Sequence, residues 1–109
     1  MYKVRYYEEQ NGRKPIREFI LSSSESLQAK IIRQLKYLEI YGLTKENLNL
    51  KNLSGTPLWE IRILGKDNVR IICIAMVNNE VFVLHIFKKK TNKTSTRELN
   101  LAMRRYKNT

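Results

Sequence analysis

The sequence has few of the residues on which many enzyme classes depend. Its 109 residues include one cysteine, Cys73, one histidine, His85, four glycines and two prolines. A single cysteine excludes an internal disulfide, and a lone histidine with no cysteine near it argues against a zinc site. There is also no glycine-rich phosphate loop and no aspartate pair at metal-ligand spacing. We therefore predict a protein that uses no metal and no cofactor.

Long apolar runs are also missing. The longest, Ile71 to Val77 and Val81 to Phe87, are far shorter than the roughly 20 residues that a membrane-spanning helix needs. The segment Met1 to Tyr7 lacks the apolar core of a signal peptide. We therefore expect a cytoplasmic protein with no membrane partner. Cys73 lies within an apolar run, which fits a reducing compartment and favours a buried small side chain over a catalytic thiol.

Negative charge is scarce. Ten Asp and Glu residues stand against 21 Lys and Arg residues, which gives a formal net charge of +11. From His85 to the end of the chain there are eight basic residues and one acidic residue, Glu98. Such a charge attracts polyanions, because each neutralised phosphate releases bound counterions. Nucleic acid is therefore the first candidate partner and an acidic protein the second, while simple solubility is the alternative explanation.

The first part of the chain predicts a strand and two helices. Tyr2 to Tyr7 alternates between aromatic or apolar and basic residues, as a strand does. Pro15 suits the first turn of a short helix that ends near the following serines. Ser22 and Glu25 have the spacing of a capping box, and leucines and isoleucines at helical spacing then continue to Gly42.

The remainder predicts three strands and a helix. Residues 43–57 have the composition of a loop. Three apolar runs follow in close order: Leu58 to Leu64, Val69 to Val77 and Val81 to Phe87. Their short connections require antiparallel neighbours, and Ser95 with Glu98 predicts the cap of a C-terminal helix. We therefore predict one α+β domain over residues 1–109, with the helices on one face of the sheet.

Three charged residues on the predicted meander form the first candidate site. Period-two alternation places Glu60 and Arg62 on the face opposite the apolar residues of their strand. An exposed ion pair between them is the alternative to a functional role. Arg70 opens the next strand and could come near Arg62 across the hairpin. Two guanidiniums with Glu60 between them would form a cradle for a phosphate, which arginine binds with two donors.

The densest positive charge lies between the last strand and the final helix. Four lysines are concentrated there: Lys88, Lys89, Lys90 and Lys93. The start of the helix near Ser95 adds free backbone N–H groups, and Arg97 adds another cation. An anion site at this turn is favoured over a solvated lysine run. The neighbours of His85 favour a packed, hydrogen-bonded histidine over a general base.

These segments, in this order, resemble the HigB-like toxins of the RelE superfamily, in the branch of phage-derived host-killing proteins. The resemblance covers nearly the whole chain and implies a RelE-like single domain. The residues that carry it are Lys51, Leu53, Leu58-Trp59-Glu60-Ile61-Arg62, Val69-Arg70-Ile71, Leu84-His85-Ile86-Phe87-Lys88-Lys89-Lys90-Thr91 and Lys93-Thr94.

The resemblance implies a bacterial toxin of a type II toxin-antitoxin system. Such a toxin enters the ribosomal A site and cleaves mRNA there without a metal, by attack of a ribose 2'-hydroxyl on the adjacent phosphate. Its implied partners are mRNA, the ribosome with its 16S rRNA, and a cognate antitoxin, a helix-turn-helix protein of the HigA-like kind. Two other functions fit the same charge: a ParE-like inhibitor of a protein such as DNA gyrase, and a nucleic-acid binder that cuts nothing. The binder is disfavoured, because no aromatic residues interleave with the lysines.

The resemblance also implies roles for individual residues. Arg62 and Arg70 would clamp the scissile phosphate, and Lys89 or Lys90 would act beside it. Glu60 stands where RelE-type sites have a lysine, and would either be a general base or orient Arg62. Further RNA contacts are expected from basic residues around this centre: Lys51, Lys88, Lys93 and Arg97.

Overall fold

The computed structural model describes residues 1–90 and 94–109. Within them the chain forms five strands and three helices. In chain order these are β1 Lys3–Tyr6, α1 Pro15–Leu21, α2 Glu25–Tyr41, β2 Leu50–Asn52, β3 Trp59–Ile63, β4 Val69–Met76, β5 Glu80–Lys88 and α3 Thr96–Lys107. The α+β class is confirmed, as are the N-terminal strand, the two helices, the three-stranded meander and the C-terminal helix.

The sheet has the strand order β1-β5-β4-β3-β2. The strands β3, β4 and β5 form the predicted antiparallel meander, and β1 lies parallel to β5. Val77, Asn78 and Asn79 connect β4 to β5, and the two asparagines have φ angles of 59° and 58°. Asparagine tolerates this left-handed conformation, so a turn at these asparagines is confirmed. The predicted two-residue hairpin is wrong by one residue, because Met76 pairs with Glu80 and leaves three residues between the strands.

Two further local predictions were wrong. The segment 43–57 contains the short strand β2, which pairs antiparallel with β3 and sets Lys51 opposite Glu60. Three residues are too few to show a period, and β3 supplies the hydrogen bonds that make them a strand. The cap of α2 is Ser24, whose hydroxyl accepts from the N–H of Leu27 at 3.2 Å, whereas Ser22 ends α1.

The helices lie on both faces of the sheet, which corrects the prediction that they share one face. Buried residues of α1 and α2 pack with one set of sheet residues, which includes Ile71. Ala102 of α3 packs with the opposite set, which includes Ile72 and Leu84. Because β4 and β5 are apolar on both faces, each face needs a cover. No helix in residues 1–90 and 94–109 is long and apolar enough to cross a membrane.

A β-bulge in β5 affects the face that carries α3. Ile72 pairs with His85 and Cys73 pairs with Val83, so the register shifts by one residue at Leu84. A bulge lets two successive residues share one side of a strand. Leu84 packs in the core beneath α3, and His85 bonds to side chains of α3.

Candidate functional site

The strands β3 and β4 bring Glu60, Arg62 and Arg70 to the sheet face that carries α3. Arg62 and Arg70 are direct cross-strand partners, as predicted, and Glu60 lies opposite Ile72. Like charges directly opposite each other destabilise a sheet unless something compensates them. The pairing of two arginines is therefore typical of a site that holds negative charge.

The contacts of Glu60 differ from those predicted. Its side chain is buried, with 5 % of the residue exposed, so it is not half of an exposed ion pair. Oε1 lies 3.6 Å from Nε of Arg70, and Oε2 accepts a hydrogen bond from the hydroxyl of Thr94. Glu60 thus contacts Arg70, whereas a contact with Arg62 had been predicted. The sequence named Thr94 only as part of the family resemblance and gave it no role, because a threonine just before a helix cap gives no sign of a partner 34 residues away.

Arg70 is the most buried cation of the site. It is 8 % exposed, and its Nη1 donates to the carbonyl of Val69 at 3.1 Å. Burial lowers the pKa of Arg70, the Glu60 carboxylate opposes that change, and the charge of Arg62 adds to it. Among the described residues, no acceptor lies within hydrogen-bond distance of its buried Nε. A buried donor without an acceptor is rare in proteins and is typical of a functional group.

These residues line a cavity of about 240 Å³, which we call the arginine cavity. Its charged lining consists of Lys51, Glu60, Arg62, Arg70 and Lys89. The structure therefore brings together four of the five residues predicted to be catalytic and one of those predicted to bind RNA. Four cations around one carboxylate leave an excess of positive charge, which suits a phosphate and the charge that develops when a phosphate is attacked.

Lys89 is held in place by Asn68, which lies in the turn between β3 and β4. The N–H of Lys89 donates to the carbonyl of Asn68 at 2.8 Å, and the side-chain amide of Asn68 donates to the carbonyl of Lys89 at 2.8 Å. Lys90 does not line the arginine cavity. Of the two lysines that the sequence left as alternatives, Lys89 is therefore the one beside the arginines.

A second cavity, of about 270 Å³, lies at the start of α3, and we call it the lysine cavity. Its polar and charged lining consists of Lys88, Lys89, Lys90, Ser95, Arg97 and Glu98. Lys89 belongs to both cavities, so the two adjoin. Lys93, another predicted RNA contact, lies outside the described residues. Two predicted RNA contacts, Lys88 and Arg97, therefore line a cavity that adjoins the arginine cavity.

His85 is packed and hydrogen-bonded, as predicted. It is 8 % exposed, its Nε2 lies 2.8 Å from Oε1 of Glu98, and its ring stacks on Phe87. Arg105 donates to its Nδ1 at 3.4 Å, so Nε2 carries the proton of a neutral ring. Burial lowers the pKa of His85 despite the hydrogen bond that its Nε2–H donates to Glu98. The side chain of Glu98 is therefore a partner of His85. The backbone N–H of Glu98 donates to the Ser95 hydroxyl, which is the predicted helix cap.

The structure also describes Cys73 and the side chains that could bind a metal. Cys73 is fully buried, and burial raises its pKa to about 12, so it is an inert core residue at neutral pH. Within residues 1–90 and 94–109, no three His, Cys, Asp or Glu side chains cluster in a way that could hold a metal ion.

The family of the chain follows from its sequence. A family described as "Phage derived protein Gp49-like (DUF891)" matches residues 18–107, so the chain belongs to the Gp49-like family. Its fold is similar to that of the E. coli toxin RelE, solved as a mutant in the free state. The TM-score is 0.65 at 15 % sequence identity, over 95 % of this chain and 96 % of that one. No curated protein matches the sequence.

Proposed function

We propose that this protein is the toxin of a type II toxin-antitoxin system, of the HigB-like branch. It would act as a ribosome-dependent endoribonuclease that cleaves mRNA in the A site. The observation that carries the proposal is the cross-strand pair of Arg62 and Arg70, packed against a buried Glu60 in a cavity that Lys51 and Lys89 complete. The similarity to the fold of a bacterial toxin and the membership in a phage-derived family support it.

The chemistry would need no metal. The 2'-oxygen of one ribose forms a bond to the adjacent phosphorus, and the bond from phosphorus to the 5'-oxygen of the next nucleotide breaks. The products are a 2',3'-cyclic phosphate and a 5'-hydroxyl. The 2'-hydroxyl gives its proton to a solvent water molecule, and the leaving 5'-oxygen gains one from a protonated group of the site. Between these events the phosphate carries two negative charges, which Arg62 and Arg70 would stabilise through the N–H groups of their guanidiniums.

Lys89 is the best candidate for the group that protonates the leaving oxygen. An arginine holds its proton too tightly to give it up, whereas a lysine ammonium can transfer one. Lys89 lines the arginine cavity, and hydrogen bonds with Asn68 hold its backbone. We therefore assign the general-acid role to Lys89.

Glu60 would orient Arg70 and would not act as the general base. One carboxylate oxygen is ion-paired with Arg70 at 3.6 Å, beyond hydrogen-bond distance, and the other accepts a hydrogen bond from Thr94. A base must have an oxygen within hydrogen-bond reach of the proton it removes. Of the two roles that the sequence left open for Glu60, the contacts therefore favour positioning, with Arg70 as the residue positioned.

The proposal includes partners and a location. In the bacterial cytoplasm the protein would bind mRNA and the 16S rRNA of the ribosome. A cognate helix-turn-helix antitoxin of the HigA-like kind would keep it inactive. The acidic residues of such an antitoxin would complement the excess of lysine and arginine at the two cavities.

Controlled expression in a bacterium tests this proposal, with growth and mRNA integrity as the readouts. The wild-type protein should arrest growth and cut mRNA, and Arg70→Ala should do neither. The control is Arg17→Ala, which changes an exposed arginine of α1 on the opposite face of the sheet. Growth arrest with intact mRNA and damaged DNA would favour the ParE-like inhibitor. A fully toxic Arg70→Ala variant would exclude the arginine pair as the site.

A further inference from the structure

A third cavity, of about 290 Å³, adjoins the arginine cavity on the side away from α3. Its charged and polar lining consists of Lys30, Arg33, Gln34 and Asn49. Asn49 also lines the arginine cavity, just as Lys89 links the arginine cavity to the lysine cavity. In the described residues, these three cavities therefore follow one another along the surface. We call the whole path the basic track.

The charges along the basic track have almost one sign. Two cations line the third cavity, four line the arginine cavity and three more line the lysine cavity, nine in all. The carboxylates among the lining residues are Glu60 and Glu98, and each already has a partner, Arg70 and His85 respectively. Lys88 also has an ion-pair partner, Asp67 at 3.8 Å, which is not one of the lining residues. The track still has an excess of positive charge, and such a surface suits a polyanion.

The course of the basic track indicates which polyanion fits. Arg62 lines the arginine cavity on the α3 face, whereas its neighbour Ile63 lines the third cavity and belongs to the core on the α1 and α2 face. The track therefore passes around the β2 edge of the sheet. A duplex is too stiff to follow such a bend over this short distance, while a single strand is flexible.

The lining also indicates whether the track recognises bases or phosphates. Among the described lining residues, the aromatic side chain is that of Phe87, which is 6 % exposed and belongs to the core beneath α3. This described lining has no exposed aromatic ring, so it offers no stacking platform for bases. Its lysines and arginines suit phosphates, so it would hold a strand without selecting a sequence.

We propose that Lys30 and Arg33 of α2 form a phosphate-binding site for the same RNA strand whose scissile phosphate lies between Arg62 and Arg70. This inference rests on the proposed function and extends it to the far side of the sheet edge. Lys30 is already fixed there, because its ammonium donates to the carbonyl of Leu64 at 3.2 Å. Arg33 is exposed on the same helix face, one turn further along.

A binding experiment tests the site without any cleavage. The probe is a fluorescent single-stranded RNA whose 2'-hydroxyls are methylated, so that it cannot be cut, and affinity is measured from low to high salt. Arg33→Glu should make the slope of log affinity against log salt shallower, by the amount expected for the loss of about one phosphate contact. The control is Lys36→Glu, which makes the same charge change on the same helix but does not line the basic track. It should keep the wild-type slope.

Equal losses in the two variants would overturn the site, because they would show a response to net charge alone. A duplex of the same sequence should compete poorly, and equal competition would overturn the single-strand assignment. The two proposals fail separately. If the wild-type protein cuts mRNA on the ribosome but Arg33→Glu keeps the full salt dependence of RNA binding, the proposed phosphate-binding site on α2 is wrong. If Arg33→Glu has a shallower salt dependence of RNA binding and Lys36→Glu does not, but the wild-type protein cuts no mRNA, the proposed function is wrong.

Discussion

Oε1 of Glu60 lies 3.6 Å from Nε of Arg70, and the exposed fractions of the two side chains are 6 % and 10 %. The pair lines the arginine cavity, whose other charged residues are all cations. A buried carboxylate among arginines can hold one guanidinium while leaving the other free for a ligand. Arg70 is then positioned by the protein, whereas Arg62, which is exposed, would be positioned by the phosphate that we propose it binds.

Removal of Glu60 should therefore cost both stability and activity. Glu60→Ala leaves Arg70 as an uncompensated buried charge, and loss of one partner of a buried pair costs about 3 to 5 kcal/mol of unfolding free energy. Chemical denaturation measures this loss. The control is Glu80→Ala, which breaks an exposed pair with Arg5 and should cost less than about 1 kcal/mol. Similar losses in the two variants would show that the buried pair contributes no more than the exposed one.

The hydroxyl of Thr94 should be needed for cleavage. Thr94→Val keeps the shape of the side chain but removes the donor to Glu60, so the carboxylate can turn away from Arg70. A hydrogen bond to a charged group contributes about 1.5 to 3 kcal/mol, and a loss of that size in the transition state lowers the cleavage rate by tenfold or more. Thr94→Ser keeps the hydroxyl and should restore most of the rate. A valine variant as fast as the serine variant would exclude this role.

Lys89 and Lys90 should differ sharply although they are neighbours in the sequence. Lys89 lines both the arginine cavity and the lysine cavity, and Lys90 lines only the latter. If Lys89 is the general acid, Lys89→Ala should slow cleavage by about 10² or more, which is typical for the loss of such a group. Lys90→Ala should cost only RNA affinity, and added substrate should restore its rate. The opposite order of effects would transfer the role to Lys90.

His85 should make stability depend on pH below neutrality. Burial lowers its pKa from the ordinary value of 6.5, so below about pH 6.5 the unfolded chain binds a proton that the folded protein does not. Stability then falls as the pH falls through this range. Thermal unfolding between pH 7.5 and 5.5 should show the decline for the wild type and a smaller decline for His85→Gln. An equal decline in both would assign the effect to other groups.

Much of the candidate site could be predicted from the sequence, because its residues are placed by strand alternation and by a short hairpin. A strand alternates its side chains, so Glu60 and Arg62 had to share a face, and a short hairpin had to bring Arg70 near Arg62. The same rules identified the turn at Asn78 and Asn79. These features depend on residues that are close in the sequence, which is why they could be predicted.

What the sequence did not reveal depends on distant contacts. The strand β2 exists because β3 pairs with it, and three residues carry no period of their own. The position of α3 follows from the two apolar faces of β4 and β5, since only one face can take α1 and α2. The bond from Thr94 to Glu60 joins residues 34 positions apart, and no spacing rule connects them.

The most direct test of the central claim uses an mRNA that carries 2'-deoxyribose at the single nucleotide where the wild-type protein cuts in the ribosomal A site. Cleavage that begins with the 2'-hydroxyl and is stabilised by Arg62 and Arg70 requires this one oxygen atom. We predict that the all-ribose mRNA is cut at one position, that the substituted mRNA stays intact there, and that Arg70→Ala cuts neither. Cleavage of the substituted mRNA at the same position, or no cleavage of either mRNA by the wild-type protein, would contradict the account.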